Sequence, residues 1–362
     1  MSNKKNKFLI SLKATLLKLL CFKQRRLFNL DEVKTILILR YDRIGDMVVT
    51  TPLFSSLRNG FPKARIIVLA SPTNASVIVN NPDVDEIIIF PKNIMGRMKI
   101  LLGLRHQNVS MVVDTHHDII WHAIYAIRII NPLWVASSYK KSRYGVDGKD
   151  LRLFDFIGNV NEKHMIYEIY SGIANSLGLN NAQYNVHYSI VLSELQKRFA
   201  KSYITCGLNV GINLLGSKAG WELKEFDCIK LCTHILGKYP SAKIWLLATP
   251  SSYQIIKALS LKINNLAVNV VHPTDDVMDA AAIIADLNLL ITPDTSLVHI
   301  ACAFNTRLVA IYPNAPDAYQ NWQPLHLPDH FRVIFSKSDK SLEGYDYESV
   351  KAAVDQLIEY NY

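Results

Sequence analysis

"TILILRYDRIGDMVVTTPLFSSLRNGF" (residues 35–61) holds three different textures in one short stretch. Residues 35–40 are a continuous apolar run of the kind a strand buried on both faces requires. Residues 47–61 are an amphipathic helix in pattern. Between them lies a turn crowded with charge: Arg40, Asp42, Arg43 and Asp46 around Gly45. Strand, turn and helix make half of a parallel βαβ unit, with a right-handed crossover to follow. Charged side chains are rarely buried without partners, so the turn is either a solvated connector or a site.

The alternation continues outward. Further β-rich runs are "ARIIVLA" (64–70), "DEIIIF" (85–90), "SMVVD" (110–114), "LNVGIN" (208–213), "AKIWLLA" (242–248), "AVNVVH" (267–272), "LNLLIT" (287–292) and "RLVAIY" (307–312), most of them separated by helical stretches. At 362 residues the chain is long for one core and comfortable for two domains. The expected fold is α/β, with two parallel-sheet domains in series. "YNVHYSIVLSEL" (184–195) reads as the passage between them, with an extra strand. The expected divisions are a segment 1–30, a first domain 31–190, a second domain 191–345 and a C-terminal helix 346–362. No internal repeat or low-complexity tract is present.

Composition narrows the class. Hydrophobic residues are 49% and charged residues 20%, a globular balance. The five cysteines form no CxxC pair, so neither a disulfide framework nor a zinc site is indicated, and a reducing cytoplasm fits. The net charge of +9 is concentrated: residues 1–30 carry Lys4, Lys5, Lys7, Lys13, Lys18, Lys23, Arg25 and Arg26 and no acid. The remainder is nearly neutral, which argues against a nucleic-acid-binding face.

In the basic segment Leu9, Leu12, Leu16, Leu19 and Leu20 recur at helical spacing, interrupted by Lys13 and Lys18. The run is too short and too charged to span a bilayer. "LLKLLCFKQRR" offers no small-residue cleavage point for a signal peptide. Two readings remain. One is a basic amphipathic helix lying on the anionic cytoplasmic face of a membrane. The other is a helix packed on the body by its leucines.

Ligands of open parallel sheets sit beyond the carboxyl ends of the strands, and the charged turn lies at such an end. Asp46 is either a helix-capping residue or a functional carboxylate. "LLITPDTSLVHIACAF" (289–304) repeats the layout: strand, then Asp294, Thr295 and Ser296, then a helix carrying His299. A helix N-terminus with free amides and small hydroxyls suits phosphate. The alternative is a capped helix with His299 in the core. "NLLGSKAGWELKEF" (213–226) puts Gly216, Ser217 and Lys218 after another strand. There a lysine can serve a pyrophosphate as a point charge, or simply be solvated. "DTHHD" (114–118) crowds His116, His117 and Asp118 at a strand end. Adjacent histidines usually diverge and no further cluster completes a metal site, so an acceptor contact is the reading taken. "YQNWQP" (319–324) either stacks on a base or sugar or anchors a loop.

These segments, in this order, resemble glycosyltransferase family 9, the ADP-heptose:lipopolysaccharide heptosyltransferases. The likeness runs over roughly residues 34–315. It comprises Arg40, Gly45, Asp46, Thr51, Pro52, Leu57, Arg58, Pro62 and Ala64, then "NNPDVDEIIIF" (80–90), "HMIYEIYSGIANSLGL" (164–179), and Asp294, Thr295, Ser296, His299, Ala301 and Ala303. The resemblance implies a GT-B fold, two Rossmann-like domains facing across a cleft. It implies a metal-independent enzyme that inverts the anomeric centre in one displacement. The sugar, a heptose, would pass from a nucleotide diphosphate such as ADP-heptose to a hydroxyl of a lipid-linked glycan acceptor. By the same resemblance Asp46 is the catalytic carboxylate. Asp294, Thr295, Ser296 and His299, with a lysine near Lys218 beside Ser217, hold the pyrophosphate. Arg40, Asp42, Arg43, His116 and His117 are acceptor or supporting residues. No cofactor beyond the co-substrate is implied.

Three departures stand out. Ser296 replaces the family's usual glycine. Lys218 precedes Trp221 by three residues, where the family has K-x-W. "TPSSYQ" (249–254) lacks the family's acidic ribose contact. They weaken the case for ADP-heptose more than that for a diphosphate sugar. A non-catalytic nucleotide- or glycan-binding protein of the same fold is the rival reading; no G-x-G-x-x-G follows any strand, which disfavours a dehydrogenase.

Overall fold

The computed structural model describes residues 2–161, 163–179, 187–273 and 275–359. The chain divides into two compact units, Met1–Val186 and His187–Tyr362.

In the first unit the strands are β1 (Thr35–Arg40), β2 (Arg65–Ala70), β3 (Glu86–Ile89), β4 (Met111–Asp114), β5 (Trp134–Ser137) and β6 (Phe156–Ile157). The helices are α1 (Ser2–Leu20), α2 (Ile44–Gly60), α3 (Ile94–His106), α4 (Trp121–Ile130) and α5 (Ile166–Ser176). The sheet order is β3-β2-β1-β4-β5-β6 and every pairing is parallel. The second unit contains α6 (Glu194–Tyr203), β7 (Asn209–Asn213), α7 (Glu225–Lys238), β8 (Lys243–Leu247), α8 (Tyr253–Ile263), β9 (Val268–Val270) and α9 (Val277–Asp286). It continues with β10 (Leu289–Pro293), α10 (Ser296–Ala303), β11 (Arg307–Tyr312), α11 (Pro316–Trp322), β12 (Phe331–Phe335) and α12 (Tyr347–Glu359). Its order, β9-β8-β7-β10-β11-β12, is the same Rossmann arrangement built a second time, again all parallel.

Each apolar run read from the sequence forms a strand, because strands covered by helices on both faces need unbroken apolar texture. Three strands carry no such signal. β5 has four residues and β6 two. β12 is an edge strand whose residues are half-buried or exposed. The expected extra strand in 184–195 is corrected: residues 187–193 have no regular structure, and 184–186 lie outside the described residues. α12 packs Val350, Val354 and Leu357 into the second unit's core.

In both sheets the connections reverse direction between two central neighbours, β1 and β4 in one, β7 and β10 in the other. Ligands of such sheets bind at these reversal points, beyond the strand carboxyl ends. The turn 40–46, residues 114–118, residues 216–218 and residues 294–299 follow these four strands, whereas "TPSSYQ" follows β8 and "YQNWQP" follows β11.

Helix α1 divides its residues between both readings of the basic segment. Leu17 and Cys21 are fully buried against the α3 and α4 side of the first core, with Ala14 and Leu20 partly buried. Leu9, Leu12, Leu16 and Leu19 remain 45–67% exposed, so the leucine row itself does not face the body. Lys23 pairs with Asp155 and donates to the Leu133 carbonyl at 2.7 Å, which fixes the segment after the helix. Among the described residues no helix is long and apolar enough to cross a membrane.

Candidate active site

At the β1–β4 reversal, Arg40 ends β1 and is 1% exposed as a whole residue. A guanidinium there needs every donor satisfied. Nε donates to Thr50 Oγ1 on α2 at 2.9 Å, and Nη1 to Asp42 Oδ2 at 2.8 Å. The same Nη1 stands 3.6 Å from Asp46 Oδ1. Nη2 donates to the Tyr170 hydroxyl, and the guanidinium lies 4.8 Å from the centre of that ring. Burial works against the charge, but Tyr170, Asp46 and Asp42 more than offset it, so Arg40 stays cationic.

Asp46 is the third residue of α2. Its Oδ2 accepts the Arg43 backbone N–H at 3.3 Å. It therefore does cap the helix, yet half of the carboxylate remains turned to Arg40. Arg43 is exposed, with no side-chain ion pair among the described residues. Asn74, fully buried after β2, donates to the Arg40 carbonyl at 3.1 Å and holds the turn from below.

From β4, Asp114 points into the same network. Its Oδ1 takes His116 Nδ1 at 2.6 Å and its Oδ2 the Lys140 ammonium at 2.7 Å. His116 Nε2 reaches Asp42 Oδ1 at 3.2 Å. Burial disfavours the His116 imidazolium, but Asp114 and Asp42 prevail and raise its pKa to about 9. Burial lifts the Asp42 carboxyl, but His116 and then Arg40 hold it at about 2. Asp114 is buried too, yet Lys140 and His116 keep it well below the usual carboxylate range. The two adjacent histidines do diverge: His117 is one-third exposed, lies 4.0 Å from Asp118, and burial lowers its pKa.

Asp114, Lys140, Tyr170 and Thr50 were not singled out by sequence. Asp114 was visible as the last residue of an apolar strand, an unusual place for a carboxylate. Lys140 and Tyr170 carry no local signal.

At the β7–β10 reversal, Asn213 donates to Thr292 Oγ1 at 2.9 Å and ties the two strand ends together. Thr295 caps α10, its hydroxyl accepting the Leu297 N–H at 3.3 Å, and Ser296 opens the helix. Burial lifts the Asp294 carboxyl to about 6 against the pull of Lys218. His299, one turn into α10, is 3% exposed, and burial lowers its pKa to about 4, so it is neutral at pH 7. Its Nδ1 has no hydrogen-bond partner among the described residues, and its ring lies 5.9 Å from those of Tyr188 and Trp322. Trp322 of "YQNWQP" is thus a neighbour of His299, while Tyr319 packs between Tyr312 and Phe335.

Lys218 lies in the exposed loop after β7 with Ser217. Its ammonium is 4.7 Å from the Trp221 ring centre. The K-x₂-W spacing therefore still brings the pair together by looping over Gly216, where an added Cβ would meet the Trp221 carbonyl oxygen at 2.0 Å. "TPSSYQ" presents Thr249, Ser251 and Ser252 in one hydroxyl cluster and no acid. Among the described residues no three His, Cys, Asp or Glu side chains are grouped to hold a metal ion.

Each site has distinct chemistry. The first presents two carboxylates, Asp42 and Asp46, on a buried cationic support. The second presents a helix N-terminus, hydroxyls, a neutral buried imidazole and an exposed lysine, a set that can receive a polyanion.

The sequence model of glycosyltransferase family 9 (heptosyltransferase) matches residues 143–332, more than half of the chain. Lipopolysaccharide heptosyltransferase 2 of Salmonella typhimurium is 22% identical over 302 residues, covering 78% of this chain and 84% of that protein. A family 9 glycosyl transferase from Veillonella parvula has a similar structure, with TM-score 0.77, 17% identity, and 93% and 100% of the two chains covered. ADP-heptose lps heptosyltransferase II of E. coli follows with TM-score 0.72, 17% identity, and 91% and 100% covered. The two parallel sheets are accordingly those of a GT-B fold, and the chain belongs to glycosyltransferase family 9, the heptosyltransferase family.

Proposed function

We propose that this glycosyltransferase moves a sugar, most simply a heptose from ADP-heptose, onto a hydroxyl of a lipopolysaccharide core or a related lipid-linked glycan. Two of the proteins named above are named as lipopolysaccharide heptosyltransferases, and one of these is named for ADP-heptose. The observation that carries the reading is Asp46: a carboxylate at a helix N-terminus, held beside a buried cation at a sheet reversal point.

An alcohol is a poor nucleophile at neutral pH, so a positioned carboxylate must accept its proton. Asp46 takes that proton as the acceptor oxygen bonds to the anomeric carbon. The carbon–oxygen bond to the diphosphate breaks on the opposite face, the nucleoside diphosphate leaves with the electron pair, and configuration inverts. The departing charge falls to the α10 N-terminus with Thr295 and Ser296, to His299 and to Lys218, with Ser217 and Asp294 alongside. No metal or other cofactor enters this scheme. Arg43, exposed and with no ion pair among the described residues, suits an acidic group of the acceptor.

The acceptor class fits residues 1–30. The exposed row Leu9, Leu12, Leu16 and Leu19 faces away from the core, as an apolar face dipping into a membrane would. Beside it Lys23, Arg25, Arg26 and Arg128 line an open cavity of about 580 Å³; Lys23 is paired with Asp155 and Arg26 with Glu32, while Arg25 and Arg128 have no ion pair among the described residues. Such a surface suits the anionic cytoplasmic face of the inner membrane.

The test is a panel of nucleotide sugars offered with and without lipopolysaccharide-type acceptors, read as acceptor mass gain. Transfer in the presence of EDTA supports the reading. Donor binding without transfer to any acceptor would favour a non-catalytic binding protein, and metal-dependent rescue of EDTA inhibition would contradict the metal-free scheme.

A further inference from the structure

The charged side chains of the first unit's site form one line in which sign alternates at every step. Lys140 meets Asp114 at 2.7 Å, Asp114 meets His116 at 2.6 Å, and His116 meets Asp42 at 3.2 Å. Asp42 meets Arg40 at 2.8 Å, and Arg40 meets Asp46 at 3.6 Å. Exposure is graded along it. The Lys140, Asp114, His116 and Arg40 side chains are 1%, 3%, 6% and 2% exposed. The carboxylates of Asp46 and Asp42 are 17% and 28% exposed. The cations and one acid are thus withdrawn, and two acids are presented.

Burying four charges is costly, and an apolar replacement of the same volume commonly serves stability as well or better. A structural network alone does not explain why the two open members are both carboxylates at the sheet reversal point. We propose that Lys140, Asp114 and His116 are positioning residues, which act through Asp42 and Arg40 to hold the Asp42–Asp46 carboxylate pair in place and oriented toward the acceptor. This rests on the reading of Asp46 as the base.

Two consequences follow from the geometry. His116 must carry a proton on both ring nitrogens, since each faces a carboxylate. Loss of that proton breaks the alternation in the middle and leaves Asp42 leaning on Arg40 alone. The groups facing His116 are Asp114, Asp42 from the β1–α2 turn, and Lys140, whose ammonium takes the His116 carbonyl. Tyr41 and His122 complete the set, with ring centres 5.4 and 6.3 Å away. Neither is a closer anion, so the two aspartates govern the imidazole.

The test begins on the unsubstituted full-length protein without ligands. Histidine-selective nitrogen-15 spectra should show one imidazole, assigned to His116 by its absence from His116→Gln, titrating near pH 9. A midpoint at or below the ordinary 6.5 overturns the proposal. Asp114→Asn should lower that midpoint by at least about one pH unit, because it removes the largest anionic influence. It should shift the alkaline limb of kcat/KM for acceptor by a similar amount, with donor Kd within about two-fold of the parent. An unmoved limb, with activity merely scaled down, makes the chain a structural network and overturns the proposal. Lys140→Arg, which keeps the charge, should retain the parent limb and guards against misfolding of the asparagine variant. Because the imidazole titration needs no substrate, failure to transfer any sugar would sink the functional reading separately.

Discussion

Asp42 and Asp46 share a single nitrogen, the Nη1 of Arg40, at 2.8 and 3.6 Å. The other two nitrogens of that guanidinium, Nε and Nη2, donate to Thr50 and Tyr170. Arg40 therefore cannot swing out to bind a ligand; its role is to hold its neighbours. Removing one partner of a buried ion group leaves the others uncompensated. Arg40→Met is expected to lower unfolding free energy by about 3–5 kcal/mol in denaturant titration. Arg40→Lys recovers only part of it, because an ammonium lacks the planar fork. A loss below about 1 kcal/mol for Arg40→Met would mean that the carboxylates find water instead.

Asp294 illustrates the opposite economy. Its folded pKa of about 6 lies above the ordinary 3.8. For a carboxyl raised in this way, stability is greatest at low pH and declines as pH rises between the two values. At pH 7.5 the ionised group is a net cost, so Asp294→Asn should stabilise the ligand-free protein by about 1–2 kcal/mol. Donor binding or turnover should suffer in the same variant, as expected where a site keeps a strained group for function. A destabilised Asp294→Asn variant would show that the charged carboxylate is satisfied in the folded state.

Lys218 is exposed and stacked on Trp221, so its removal should cost little stability. Lys218→Ala is expected to raise donor Kd about ten-fold or more, with Tm nearly unchanged. Equal affinities by calorimetry would remove Lys218 from the diphosphate site.

The exposed leucines of α1 give a membrane prediction that leaves the fold intact. Leu12→Ser, Leu16→Ser and Leu19→Ser together should abolish the salt-resistant part of co-sedimentation with anionic vesicles. The fully buried Leu17 and Cys21 stay in place, so Tm should hold. Vesicle binding indifferent to those three changes would assign the basic segment to packing alone.

The fold was legible where strands are buried on both faces: "TILILR" announces β1 because five of its six positions are fully enclosed. β6 and β12 were not, since a two-residue strand and a half-buried edge need no continuous apolar run. The site divides in the same way. Arg40, Asp42 and Asp46 lie within one turn of sequence and could be read together. Tyr170, whose hydroxyl meets Arg40 across 130 residues, and Lys140 are delivered by the sheet order, which local pattern does not encode. The leucine periodicity of α1 was plain, but which residues would face the body depended on the packing partners: Leu17 took the core, Leu20 of the repeating row packs partly against it, and Leu9, Leu12, Leu16 and Leu19 stay exposed.

Asp46→Asn tests the account most directly. The substitution keeps size and hydrogen-bonding shape while removing the capacity to accept a proton. With a donor identified, single-turnover transfer should fall by ~10²–10⁴-fold while calorimetric donor Kd stays within about two-fold. Turnover at the parent rate would contradict the assignment of the base to Asp46 and move it to Asp42.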